Sequence, residues 1–305
     1  MLEILYQDEF LVAINKPSGL LVHRSPIDKH ETRFAIQELR DQIGQYVYPI
    51  HRLDKPTSGV LVFALDKETA SLMSEQFRDR KTEKTYIAVV RGYTDENGTI
   101  EHALSQKHDK IADKDSSTCK EPQEAITEYE RLDIAEVNHA VGRYEKSRYS
   151  LVRLKPKTGR KHQLRRHMKH ISHHIVGDTK YGRVEHNKSV REHYDCHRML
   201  LHAIELKIKH PYKEEVLSSF FFNSNKILIS IVSLIIHSIN HIFILLISIT
   251  PILPKIHKKT IQIILNCFFL LVPISALLEY KLGLWMFIEV VLRWRLLLDF
   301  PIGHL

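Results

Sequence analysis

The residues best able to do chemistry lie in three short segments. The first is HRLDKPTSG at 51–59, which runs straight into the apolar residues 59–65. A carboxylate on a Pro/Gly turn at a strand edge is rigidly placed and open to solvent, the setting a nucleophile or general base requires. Asp54 is that carboxylate. It can equally be a turn cap, because Asp followed by Pro, Thr, Ser and Gly is good turn chemistry. The second segment, KPKTGRKHQLRRH at 155–167, belongs to a stretch from Lys146 to Gly177 that holds ten Lys and Arg and no acid. Such an unopposed positive stripe suits phosphate groups, and Arg165 within it can hold a buried carboxylate ionised. The third is KTYIAVVR at 84–91, where Tyr86 is either a platform for a stacked base or an ordinary core tyrosine.

The elements that must position these groups are mostly strands. Alternation over 2–6, 149–154 and 201–208, and apolar runs over 10–14, 59–65 and 85–90, predict six of them. Phe34, Ile36, Leu39 and Ile43 predict a helix over 31–43, and Ala70, Met73 and Phe77 another over 67–80. The NKPSG run at 15–19 is a turn cluster, and the polar residues 108–124 read as a surface insertion. Many strands with few helices predict an α+β fold built on a mixed, largely antiparallel sheet.

At 44% hydrophobic and 26% charged residues, the 305-residue chain has the makings of a core and is not wholly disordered. Its net charge of +8 suits a polyanionic partner. Three cysteines without a C-x-x-C exclude a disulfide framework and a cysteine zinc site. His167, His170, His173 and His174 crowd together, but their spacing fits no standard zinc set, so no metal is expected. The start, MLEILYQDEF, lacks the features of a signal peptide, which predicts a cytoplasmic protein.

The composition breaks near residue 216. Residues 227–254 and 260–278 contain no Asp, Glu, Lys or Arg, and either stretch is long enough to span a bilayer. The chain therefore divides into what reads as a soluble globular domain at 1–216 and an atypical apolar, helical tail at 217–305. Two origins compete for the tail: a membrane anchor, which would make the protein membrane-associated, or translation of a shifted reading frame. The abrupt switch at LSSFFFN, 217–223, favours the frame change.

Together, NKPSG at 15–19 with Val22 and His23, HRLDKPTSG at 51–59, Lys84-x-Tyr86-x-Ala88, and GRKHQLRRH at 159–167 resemble the RluA-type pseudouridine synthases, in the same order. The likeness runs from Met1 to about Glu215. It implies the catalytic domain of that family and the isomerisation of uridine to pseudouridine in RNA, with neither metal nor cofactor. By the same resemblance Asp54 is the essential carboxylate, acting on the uridine ring or sugar or abstracting a proton. Arg165 pairs with it, and Tyr86 stacks on the base and serves in proton removal. Arg52 helps displace the base, while Arg160, Lys161, His162, Gln163, Arg166 and His167 join it in binding substrate. Finer matches, VHRS at 22–25 and DKIADK at 109–114, resemble the branch acting on tRNA. They imply tRNA as partner and uridine 65 of the T-stem as target. The rivals are a ribosomal RNA uridine, and an RNA-binding relic impaired by its C-terminus.

Overall fold

Residues Ser58–Ala64 are buried at every position, so this strand must lie inside a sheet covered on both faces. The computed structural model describes residues 1–24, 30–105 and 121–217 and shows that arrangement. The elements run β1 (Glu3–Gln7), β2 (Leu11–Lys16), α1 (Ala35–Ile43), β3 (Tyr48–Pro49), β4 (Ser58–Ala64), α2 (Lys67–Arg78), β5 (Glu83–Arg91) and β6 (Asn97–Glu101). They continue with β7 (Ile126–Val137), β8 (Ser147–Pro156), α3 (Gln163–His170), α4 (Val184–Tyr194), β9 (Leu201–Lys209) and β10 (Val216–Leu217).

The main strands form one sheet in the order β1-β2-β4-β9-β5-β8-β7-β6, with β3 beside β4 and β10 beside β9. Every pairing is antiparallel except β4 with β9. The predicted α+β class and mixed, largely antiparallel sheet therefore describe the molecule. At the parallel contact Gly59 lies on the backbone of Ala203: a Cβ there would sit 2.1 Å from the Ala203 carbonyl oxygen. Only glycine permits that approach, and its φ of +113° demands glycine as well.

Strand alternation sorts the core onto two faces. On one, Val12, Ile14, Leu61 and Phe63 pack under α1 through Ala35 and Leu39, and Val152 and Leu154 pack under α3 through Leu164 and Met168. Tyr86 touches both groups and so lies at the seam between them. On the other face, Met73 of α2 and Val190 of α4 cover Val60, Val62, Ile87 and Val89.

The first predicted helix begins later than the 31–43 pattern suggests. Phe34 is extended at φ −141° and bridges Leu21, so the helix starts at Ala35. Sequence reading missed α3 and α4, whose polar sequences QLRRHMKH and VEHNKSVREHY hide a narrow apolar stripe. The expected insertion falls mostly, and the apolar tail beyond Leu217 entirely, outside the described residues. Among the described residues no helix is long and apolar enough to cross a membrane.

Candidate active site

Asp54 sits in the loop before β4, where its carbonyl accepts the Thr57 amide at 3.0 Å and closes a tight turn. A second loop is fastened to the first. Lys16 is fully buried, and its Nζ donates to the carbonyls of Pro17, Leu20 and Lys55 at 2.9, 2.8 and 3.2 Å. The Gly19 amide also reaches the Lys55 carbonyl at 2.8 Å, and Ser18 Oγ donates to the Pro56 carbonyl at 2.7 Å. The NKPSG turn is thus the bracket of the Asp54 loop. Burial pushes the Lys16 ammonium down to about 7; Asp54 opposes that shift and Arg198 adds to it.

Opposite this loop stands α3. Arg165 Nη1 donates to Asp54 Oδ2 at 3.0 Å. Its Nε and Nη2 donate to Asp178 Oδ2 and Oδ1 at 2.7 and 2.9 Å, a two-point grip that sets the guanidinium plane. Asp178 accepts the Lys180 and Tyr181 amides as well, at 2.9 and 3.0 Å. Burial opposes ionisation of Asp178, but the hydrogen bonds and charge of Arg165 prevail and hold its carboxyl below the usual range. The Arg165 guanidinium lies 5.1 Å from the centre of the Tyr181 ring. The Arg165 and Asp178 side chains are 5% and 1% exposed, whereas Asp54 is 27% exposed, so Asp54 is the end of this ion chain that a substrate can reach.

Among the described residues no hydrogen bond reaches Asp54 Oδ1, and His162 Nε2 lies 3.9 Å from it. His162 adopts a left-handed φ of 56° immediately before α3, and its Nδ1 is 3.0 Å from the Tyr181 hydroxyl. Burial lowers its pKa, against the pull of Asp54. Tyr86, on β5, is half-buried. Burial raises the pKa of its phenol, and the nearby Asp54 charge raises it further. One carboxylate oxygen tied and one untied, beside a neutral phenol and an apolar seam, suit attack on, or proton removal from, a planar base.

The structure thus assembles Asp54, Arg165, Tyr86 and His162. Arg52 is exposed, and its charge helps depress the pKa of His23, which burial lowers first. Lys161 is exposed; Arg160 donates from Nε to the Glu124 carbonyl at 3.0 Å, and Arg166 from Nη1 to the Ser105 carbonyl at 3.0 Å. Gln163 and His167, expected among the substrate-binding residues, are buried and bond within the protein. Gln163 bonds Thr158, Thr127 and the Ile126 carbonyl, and His167 bonds Thr127 and the His102 carbonyl. Asp178 and Tyr181 escaped sequence reading as site residues. The available signal was that Asp178 is the first acid after the long acid-free basic stretch. Among the described residues no three His, Cys, Asp or Glu side chains converge as metal ligands would.

This site and sheet define an enzyme of RNA modification, since the model of the RNA pseudouridylate synthase family matches residues 10–170. The chain belongs to the RNA pseudouridylate synthase family, of the RluA type, and is an isomerase of RNA uridine. It is 58% identical over 216 residues to tRNA pseudouridine synthase C of Vibrio parahaemolyticus, covering 71% of this chain and 88% of that one. Against tRNA pseudouridine synthase C of Haemophilus influenzae it is 58% identical over 215 residues, 70% of this chain and 90% of the relative. The solved structure of human RNA pseudouridylate synthase domain containing 1 superposes with a TM-score of 0.55 at 29% identity, covering 72% of this chain and 82% of that one.

Proposed function

We propose that the protein isomerises a uridine of tRNA, the one at position 65 of the T-stem, with Asp54 as the essential carboxylate. The observation that carries this reading is the accessible Asp54 oxygen beside one tied down by Arg165, itself clamped on Asp178. A uridine in a stem must leave the stack before its glycosidic bond can be cut and remade at C5. Tyr86 offers the face on which the released base stacks and turns, and Arg52, exposed at the loop, helps displace it. The relatives named tRNA pseudouridine synthase C support tRNA as the substrate, and a cytoplasmic location follows from it.

Mapping pseudouridine in total tRNA and ribosomal RNA, with and without the gene, tests this. The expected result is the loss of one T-stem pseudouridine in tRNA. A loss confined to ribosomal RNA would overturn the tRNA assignment.

A further inference from the structure

We propose that Tyr181 is a positioning residue for the isomerisation: its hydroxyl sets the rotation of the His162 ring, so that His162 Nε2 faces the open oxygen of Asp54 and meets the polar edge of the uracil ring there. This rests on the RNA reading above and adds a residue to it. Tyr181 is buried, and its backbone is tied at both ends. The amide donates to Asp178 Oδ1 at 3.0 Å, and the carbonyl accepts from His174 Nδ1 at 2.7 Å. The ring lies against the Arg165 guanidinium, 5.1 Å from the ring centre. The hydroxyl takes no part in that frame. Among the described residues it has one hydrogen-bond partner, His162 Nδ1 at 3.0 Å.

That contact selects between two orientations of the His162 ring. A half-turn about the bond from Cβ to the ring exchanges Nδ1 with Cδ2 and Nε2 with Cε1. The two orientations have nearly the same shape, so packing separates them weakly. A carbon in place of Nδ1 would leave the buried phenol without its partner. With Nδ1 on Tyr181, Nε2 stands 3.9 Å from Asp54 Oδ1. The selection is the same whichever group donates in the Tyr181–His162 bond. The Asp54 charge then favours the tautomer with its proton on Nε2, which can donate to a uracil carbonyl.

Two further observations place His162 at the opening. Its side chain is 16% exposed beside the 27% of Asp54, so Nε2 borders the space a substrate enters. A base held for reaction stands about 3–3.5 Å from the attacking atom, which brings the edge of its ring alongside Nε2. The backbone of His162 is left-handed, at φ 56° and ψ 28°, a conformation a residue with a side chain keeps only where its surroundings hold it. Its carbonyl accepts the Arg166 amide at 3.0 Å, which fixes it to the first turn of α3. Burial raises the pKa of the Tyr181 phenol and lowers that of His162, so the pair is neutral at neutral pH and adds orientation without a further charge.

The test is a double-mutant cycle in the full chain, read by release of tritium from C5 of the uridine in an RNA stem–loop copying the T-arm. Tyr181→Phe deletes the hydroxyl and keeps the ring on Arg165. His162→Asn suits the left-handed backbone, and its amide reaches the place of Nδ1 but not that of Nε2. Tyr181→Phe should lower kcat by about five- to ten-fold with KM little changed. His162→Asn should lower kcat at least as far, and adding Tyr181→Phe to it should cost nothing more. A folded Tyr181→Phe with the parent's kcat would overturn the proposal, as would a Tyr181→Phe loss that persists in full in the His162→Asn background. If Tyr181→Phe does not fold, parental kcat in His162→Asn overturns it instead. A parent that releases no tritium from any RNA overturns the underlying reading directly.

Discussion

Arg165 and Asp54 meet at 3.0 Å although 111 positions separate them, and the arginine approaches with its remaining nitrogens already fixed on Asp178. The consequence is directional. A guanidinium free to rotate could tie up both oxygens of Asp54. One clamped on Asp178 leaves Asp54 Oδ1 without a hydrogen bond among the described residues, and so available for chemistry.

Asp54→Asn should abolish isomerisation while leaving RNA affinity within a few-fold of the parent. The amide keeps the size and much of the hydrogen bonding but loses the charge and the nucleophilicity. Single-turnover pseudouridine formation and filter binding check the two halves; turnover by a preparation free of parent enzyme would remove Asp54 from its role.

Asp178→Asn should be costly in two ways. It leaves the Arg165 guanidinium buried beside one partial partner, so stability should fall by about 3–5 kcal/mol, the usual loss when one member of a buried pair is removed. It also frees the guanidinium plane, so turnover should fall more than RNA affinity. Urea unfolding and a kcat against KM comparison separate the effects, and an unaltered kcat would show that the clamp is not needed.

Neutralising Arg160, Lys161 or Arg166 should weaken RNA binding across sequences and flatten its salt dependence, by about 0.9 in log–log slope for each phosphate no longer neutralised. Arg165→Ala should instead lose turnover with little change in slope. The same pure binding defect in all four variants would contradict the Asp54–Arg165 pairing as a catalytic arrangement.

Acid should destabilise the fold through its buried histidines. Burial, helped by neighbouring cations, brings His202 and His186 down to about 4 and His51 down to about 3, from an ordinary 6.5. As pH falls through 6.5 the unfolded chain takes up protons that the folded chain refuses until about 4. The unfolded state then binds more protons, so stability declines across that window and is level above it. Thermal melts between pH 7.5 and 4.5 should show the decline, and His202→Gln should make it shallower.

A chain ending at Leu217 keeps the β10 pairing with β9, Val216 against Lys209 and Leu217 against Ile208. Expressed beside the full chain, it should be the more soluble of the two, because residues 218–305 carry long uncharged apolar stretches. A soluble, active full chain beside an insoluble shortened one would show that the tail belongs to the fold.

Local chemistry was legible in the chain itself. Alternation and apolar runs mark β1, β2, β4, β5, β8 and β9, because a strand's burial is written with a period of two. The Pro/Gly turn at Asp54 and the basic stripe holding Arg165 are likewise local patterns. Polar elements were not legible. β7 buries only Thr127 and Val137 of its twelve residues, and α3 buries Leu164, Arg165, His167 and Met168 within a mostly basic sequence.

Only the tertiary structure decided which of these groups meet. The order β4-β9-β5-β8 brings the Asp54 loop, Tyr86 and α3 to one place, and nothing local to any of them encodes the strand order. The same packing turned Gln163 and His167 inward, left neighbouring Arg166 at the surface and set Asp178 behind Arg165. A one-residue step along a short helix rotates a side chain by about 100°, so core and surface alternate within a single motif. Residue types and spacing therefore determined which chemistry was available, while strand order and helix rotation determined which side chains meet.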